Sequence, residues 1–265
     1  MEQLVQSLAG MNVLIVGTLA SLVAGLMAMV GALPVAFVGG ISQRFLNPVL
    51  GFAAGVMLAA TVFSLVQPGI EEAGGDLYGA FVMIAGILLG GIFVDFFDRR
   101  FPHQHFVKGR EGPDRRLSAI WLFVIAITLH NFPEGLAVGV GFGQGGEESI
   151  RNGLTLALAI GLQDLPEGLA VAAALVGEGY GAWKGIGIAT LTGLVETAGG
   201  VLGVAFVNLS EPLLPWGMAL AAGAMLFVIS DEIIPEIQSG GFERVATFGV
   251  MVGFVVMMFL DVTLG

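Results

Sequence analysis

The stretch "HNFPEGLAVGV" at residues 130–140 returns as "QDLPEGLAVAA" at residues 163–173, thirty-three positions later. Both copies set polar or ionisable residues and a proline into surroundings apolar enough to lie in lipid, where a buried charge costs about 2.5–3.5 kcal/mol on insertion scales. A proline there removes one backbone N–H and frees a carbonyl one turn earlier. A membrane helix tolerates this where a cavity or ligand satisfies the freed group.

The rest of the chain supports a membrane setting. Of 265 residues, 56% are hydrophobic and 12% charged, against about 25% charged in a soluble domain. Apolar runs of spanning length, about 20 residues, recur throughout. They predict eight helices near 10–39, 46–67, 77–97, 117–142, 151–176, 183–208, 213–235 and 244–264, in one transmembrane domain over 1–265. The 42 glycines then read as close helix packing. They permit a homodimer without demanding one. No Lys or Arg precedes Arg44, so the first run lacks the basic flank of a cleaved signal and is expected to be retained. The absence of cysteine excludes disulfides, thiolate metal ligands and cysteine nucleophiles. A net charge of −11 argues against nucleic acid as a partner.

The segment 98–116 between the third and fourth runs holds Arg99, Arg100, Lys108, Arg110, Arg115 and Arg116. By the positive-inside rule it is a cytoplasmic loop. Eight crossings then place Arg44, Lys184 and Arg244 on the same side and leave Arg151 alone outside, with both termini outside. A multi-pass protein of the cell membrane, a bacterial inner membrane, is the expectation. The opposite face carries "EEAGGD" at 71–76 with Glu147 and Glu148, an acidic surface that concentrates cations.

The fourth run carries His130, Asn131 and Glu134, the fifth Gln163, Asp164 and Glu167, and the sixth Glu196 in "LTGLVETAGG", with no Lys or Arg near their middles. Such carboxyl groups must be protonated or neutralised by a cation that the chain does not encode. His130 and Glu134 stand four residues apart and share a helical face, and Gln163 and Glu167 repeat that spacing. Consecutive spans run antiparallel, so the duplicated frame suggests an inverted pair at the membrane midplane. One imidazole, several carboxylates, amide oxygens and no thiolate suit a divalent transition metal: zinc first, then iron(II) or manganese(II). A lone buried histidine is more often a hydrogen-bonded core residue, but the duplicated frame reverses that reading.

Met57 reads as packing on sequence alone, and Asp95, Asp231, Glu232 and Asp261 lie near span ends, where acids commonly just reach the interface. His103 and His105 in "FPHQH" read as incidental. An intramembrane metalloprotease would also bury His and Glu on helices, but the HExxH pair is missing. A proton-conducting channel explains the acids but not the duplicated His/Gln and Glu frame. The chain is therefore read as a transporter rather than an enzyme, with a divalent metal as substrate and no cofactor.

"HNFPEG" and "QDLPEG" resemble the signature helices of the ZIP (Zrt/Irt-like) divalent metal transporters. The resemblance extends through "GFAAGVMLAATVFSLVQPG" (51–69), "AAGAMLFVISDEIIPE" (221–236) and "MMFLDVTLG" (257–265), and is to the bacterial GufA-like branch. It implies eight transmembrane helices and uptake toward the cytoplasm through a binuclear site. One metal would sit among Met57, His130, Glu134, Gln163 and Glu167, a second among Asn131, Glu134, Asp164, Glu167 and Glu196, with both glutamates bridging. It also implies Glu71 and Asp261 near the outer entrance, Ser64 on the pathway, and Asp95 with Glu232 on the inner exit. Helices one, four, five and six would move as an elevator against two, three, seven and eight. Many family members carry histidine where this chain has Gln163, and close relatives carry it at Asp231. Cadmium joins zinc, iron(II) and manganese(II) as cargo on this reading.

Overall fold

The computed structural model describes residues 2–38, 41–100, 103–105, 109–111, 119–210, 212–238 and 241–264. Eight of its helices are long and apolar enough to cross a membrane: Val13–Ala36, Arg44–Glu72, Leu77–Asp98, Ile120–Gly141, Glu147–Gly177, Ala182–Asn208, Leu213–Ile237 and Glu243–Leu264. These are the first to eighth spans. A short helix, Glu2–Ala9, precedes them. Most of the expected loop at 98–116 lies outside the described residues. Within it the backbone forms a small antiparallel hairpin, His103–His105 against Gly109–Glu111, while the histidine side chains lie outside the description.

Two span boundaries differ from expectation for local reasons. The fifth span starts at Glu147 because Gly143, Gly145 and Gly146 turn the chain with positive φ just before it. Glu147 and Glu148 then occupy its first turn, where carboxylates complement the helix dipole. The second span runs past Pro68 to Glu72 because a wide turn, Thr61–Val66, precedes the proline. There the Gln67 N–H reaches back five residues to the Val62 carbonyl. The seventh span repeats the device: Ile229–Ile233 is π-helical, the Ile234 N–H bonds to the Ile229 carbonyl, and Pro235 follows.

Arg44, Arg99, Arg100, Lys184 and Arg244 stand at one end of the bundle, the basic end. Glu71, Glu72, Asp76, Glu147 and Glu148 stand with Arg151 at the other, the acidic end. The first span packs most on the fifth and sixth, the fourth on the sixth, the second on the eighth and the third on the seventh. Exchanging first with sixth, second with seventh, third with eighth and fourth with fifth maps this pattern onto itself.

Glycines fix the register of that exchange. A Cβ on Gly25 would strike the Gly193 carbonyl, and one on Gly193 would strike that of Gly25, 168 positions apart. Gly168 abuts the Ala28 carbonyl as Gly135 abuts that of Glu196, and Gly31 meets Leu165 as Gly199 meets Phe132. Likewise Gly253 faces Phe52 as Gly90 faces Leu220. The first and last three spans are thus inverted repeats flanking the duplicated pair. Bare glycine faces let helices pack closely in lipid, where little hydrophobic force draws them together. The third and eighth spans expose large apolar side chains such as Phe81, Leu88, Phe248 and Phe259, while the fourth and fifth are mostly buried in the centre.

Candidate metal centre

Pro133 and Pro166 sit inside the fourth and fifth spans without breaking them. Around them His130, Asn131, Glu134, Gln163, Asp164 and Glu167 are all buried, and Glu196 on the sixth span is fully buried. One carboxylate oxygen each from Glu134, Asp164 and Glu167 lies within 4.8 Å of the other two. The Glu196 carboxyl adjoins that of Asp164. Gln163 Nε2 donates to Glu134 Oε1 across the two copies of the motif.

Most of the remaining polar atoms are unsatisfied. Asn131 Oδ1, Glu134 Oε2, Gln163 Oε1 and both carboxylate oxygens of Asp164, Glu167 and Glu196 have no hydrogen-bond partner. Among the described residues no Lys or Arg pairs with these four acids. Buried carboxylates without donors or countercharge are strongly destabilising. The acceptors converge and donors are scarce, an arrangement that one or two cations relieve. The oxygens, with one imidazole at hand, match a borderline divalent transition metal.

Met57 is fully buried on the second span, and its carbonyl accepts from Thr61 Oγ1 at 2.8 Å. Met225, 168 positions on, is its buried repeat partner, with its sulfur 3.9 Å from the same hydroxyl. Ser64 is buried in the wide turn and donates to Asp261 Oδ1 at 2.6 Å. Glu71 and Asp261 line a cavity of about 450 Å³ at the acidic end, with Glu72, Glu147, Glu148 and Arg151. At the basic end a cavity of about 260 Å³ is lined by His130, Glu167, Glu232 and Glu236. Glu232 is buried, and its Oε2 contacts His130 Nε2. Asp231, beside it in the π-turn, is half-buried.

Asp95 is placed differently from the expected exit route. It forms an i, i+4 ion pair with Arg99, whose Nη2 is 2.9 Å from Oδ1, on a partly exposed helix face. The buried acid of that turn is Asp98, which lines a cavity of about 300 Å³ with His130, Thr128, Pro133 and Glu232. Asp98 precedes Asp261 by 163 positions, the offset of the third and eighth spans, as Glu232 follows Ser64 by 168. Asp98 and Glu232 are therefore the basic-end counterparts of Asp261 and Ser64. Sequence reasoning missed Asp98 and Glu236. Arg99, four residues after Asp95, was the available signal for Asp98, since it marks the face of Asp95 as solvated.

Comparison with known proteins identifies the family. The family profile described as ZIP Zinc transporter matches residues 102–261. The Myxococcus xanthus protein named zinc transporter GufA is 46% identical over 94% of this chain and 99% of its own length. Zinc transporter ZIPB of Bordetella bronchiseptica is 43% identical over 89% of this chain and 77% of its own. Zinc transporter ZIP11 of Xenopus tropicalis is 36% identical over 91% of this chain and 94% of its own. With an eight-span bundle built around the duplicated proline motif, the chain belongs to the ZIP family.

Proposed function

We propose that this protein carries divalent transition metal ions across the cell membrane into the cytoplasm, with zinc as the principal cargo and cadmium, iron(II) and manganese(II) fitting the same donors. The observation that carries the reading is the set of buried carboxylates of Glu134, Asp164, Glu167 and Glu196, of whose oxygens only Glu134 Oε1 has a hydrogen-bond partner. The names of the relatives, all zinc transporters, support zinc first.

One metal is held by His130, Glu134, Gln163 and Glu167 with Met57, and a second by Asn131, Asp164 and Glu196 with the two glutamates as bridges. The basic end faces the cytoplasm, as the asymmetry of basic residues favours. Glu71 and Asp261 gather cations at the outer face and Ser64 stands below them. Glu232, Asp231 and Asp98 receive the ion on the inner side. An inward-open state is supported by His130 and Glu167 lining the basic-end cavity, while the acidic-end cavity is lined by residues such as Asn152 and Asp261 and by none of the proposed ligands. Transport alternates this state with an outward-open one as the first, fourth, fifth and sixth spans shift against the rest.

The test is metal uptake into liposomes holding the purified protein, with zinc, cadmium, manganese and iron(II) compared in parallel. Zinc influx that saturates and exceeds that of empty liposomes is expected. Cleavage of a membrane peptide, or proton flux, without metal entry would overturn the reading.

A further inference from the structure

One face of the fifth span passes Glu148, Asn152, Thr155, Ala159, Gln163, Glu167, Ala170 and Ala174, at steps of three and four residues. Its upper members, Glu148 and Asn152, line the acidic-end cavity. Its lower members, Glu167, Ala170 and Ala174, line the basic-end cavity, and Gln163 belongs to the metal centre between them. The opposite face, with Leu154, Leu158 and Leu165, lines a purely apolar groove beside the first span. Between the vestibule and the centre this face holds Thr155 and Ala159, so Thr155 carries its one hydroxyl there, in the packed stretch that neither cavity reaches.

Thr155 is 1% exposed, and its Oγ1 has no hydrogen-bond partner. Helical threonines normally choose the rotamer that returns the hydroxyl to a carbonyl three or four residues back. Thr61, Thr128, Thr190, Thr192, Thr247 and Thr263 all do so, whereas Thr197 beside Glu196 shares the unpartnered state of Thr155. Thr155 does not use that local acceptor, which leaves a buried hydroxyl free for a ligand.

We propose that Thr155 is a relay position for the hydrated divalent cation between the acidic-end vestibule and the metal centre. Its oxygen accepts hydrogen bonds from metal-bound water or ligates the ion directly. As a neutral ligand it holds the ion less tightly than a carboxylate, so the ion passes on to Gln163 and Glu167, two and three turns further along the face. The proposal rests on the transport reading above.

The test compares wild type with Thr155→Val, which keeps the shape and removes the hydroxyl, and Thr155→Ser, which retains it. Zinc uptake into liposomes below saturation should fall about tenfold in Thr155→Val, the factor given by one hydrogen bond's worth of free energy. Thr155→Ser should restore most of it. Equilibrium zinc binding to the detergent-solubilised protein should be the same in all three. Because the chain lacks cysteine, Thr155→Cys offers a second readout: a cationic methanethiosulfonate should modify it from the acidic side, and zinc should slow that reaction. Wild-type uptake by Thr155→Val, a loss of equilibrium binding as large as the loss of uptake, or a cysteine closed to the acidic side would each overturn the relay. Failure of wild type to take up any metal would instead sink the transport reading, and zinc protection of the cysteine would still decide the relay.

Discussion

His130 on the fourth span and Glu232 on the seventh meet side chain to side chain, Nε2 to Oε2. One turn further along the fourth span, Glu134 accepts from Gln163. A metal drawing on His130 Nε2 must displace Glu232, whereas Glu134 Oε2 and Gln163 Oε1 are free to meet it.

Removing the competitor at His130 should tighten binding. If the contact contributes about 1.4 kcal/mol, Glu232→Ala should lower the zinc dissociation constant about tenfold. Transport should nonetheless slow, because the departing ion loses an acceptor on the inner side. Calorimetric binding and liposome uptake on the same preparation check both halves. Weaker binding in the variant would show that Glu232 ligates the ion in the resting state.

Glu134 and Glu167 serve both proposed metals. Glu134→Ala or Glu167→Ala should abolish zinc uptake, whereas Asn131→Ala and Glu196→Ala, which touch one metal only, should leave a measurable fraction. Removing even an outer-shell partner of a metal typically costs about 10–100-fold, so loss of a shared ligand should exceed that. Uptake assays on variants shown to be folded and membrane-inserted decide it. Normal transport by Glu134→Ala would remove it from the centre.

Gln163→His would give the two copies of the motif matching imidazoles. Nitrogen donors favour zinc over manganese, so the ratio of zinc to manganese affinity should rise. A second imidazole must be neutral to ligate, so zinc affinity should also fall more steeply toward acid than in wild type. Competition binding at two pH values bracketing about 6.5 measures both effects. No change in either would make Gln163 a packing amide.

Cysteines placed singly at the two ends test the orientation. Glu147→Cys should react with an impermeant thiol reagent from outside the cell, and Lys184→Cys only after the cytoplasmic side is opened. Reaction of both from one side would break the alternation of the eight spans.

The glycine register makes a prediction about stability. Gly25→Ala or Gly135→Ala drives a methyl into the backbone of the sixth span. Each should lower stability by about 1–3 kcal/mol as overpacking does, measured by thermal unfolding in detergent. Gly187→Ala, on the same sixth span but with nothing within 4 Å of its Cβ, should be neutral or slightly stabilising because alanine is the better helix former. Equal loss at all three sites would mean that close approach is not what these glycines provide.

The spans were legible because lipid demands long apolar runs, and the centre because an acid inside such a run has no cheap explanation. Glu196 could be singled out on that ground without any motif around it. Asp98 could not be separated from Asp95 by apolar patterning, since both fall near the end of one helix. Their difference is which side of the third span each occupies, and the one signal of it in the sequence is Arg99, four residues after Asp95, with which it forms an ion pair. Thr155 was invisible for another reason: a threonine in a helix is ordinary until its hydroxyl is seen to lack the usual carbonyl. The repeat between the outer helices was equally hidden, because its register is carried by glycines facing carbonyls rather than by similar side chains.

The two wide turns, Thr61–Val66 and Ile229–Ile233, bear on what the length of a span means here. A π-turn holds one residue more than the α-turn it replaces, so its flanks already stand as they would in a helix one residue shorter. Deleting one residue from either turn would leave Met57 and Met225 in place on their upstream helices and still span the bilayer. What would vanish is the bulge that aims Ser64 toward Asp261 and Glu232 toward His130. The surplus residue in each helix is a spacer for aiming side chains, not an adjustment to membrane thickness, and each span is one residue longer than the same helix would be with an α-turn in that place.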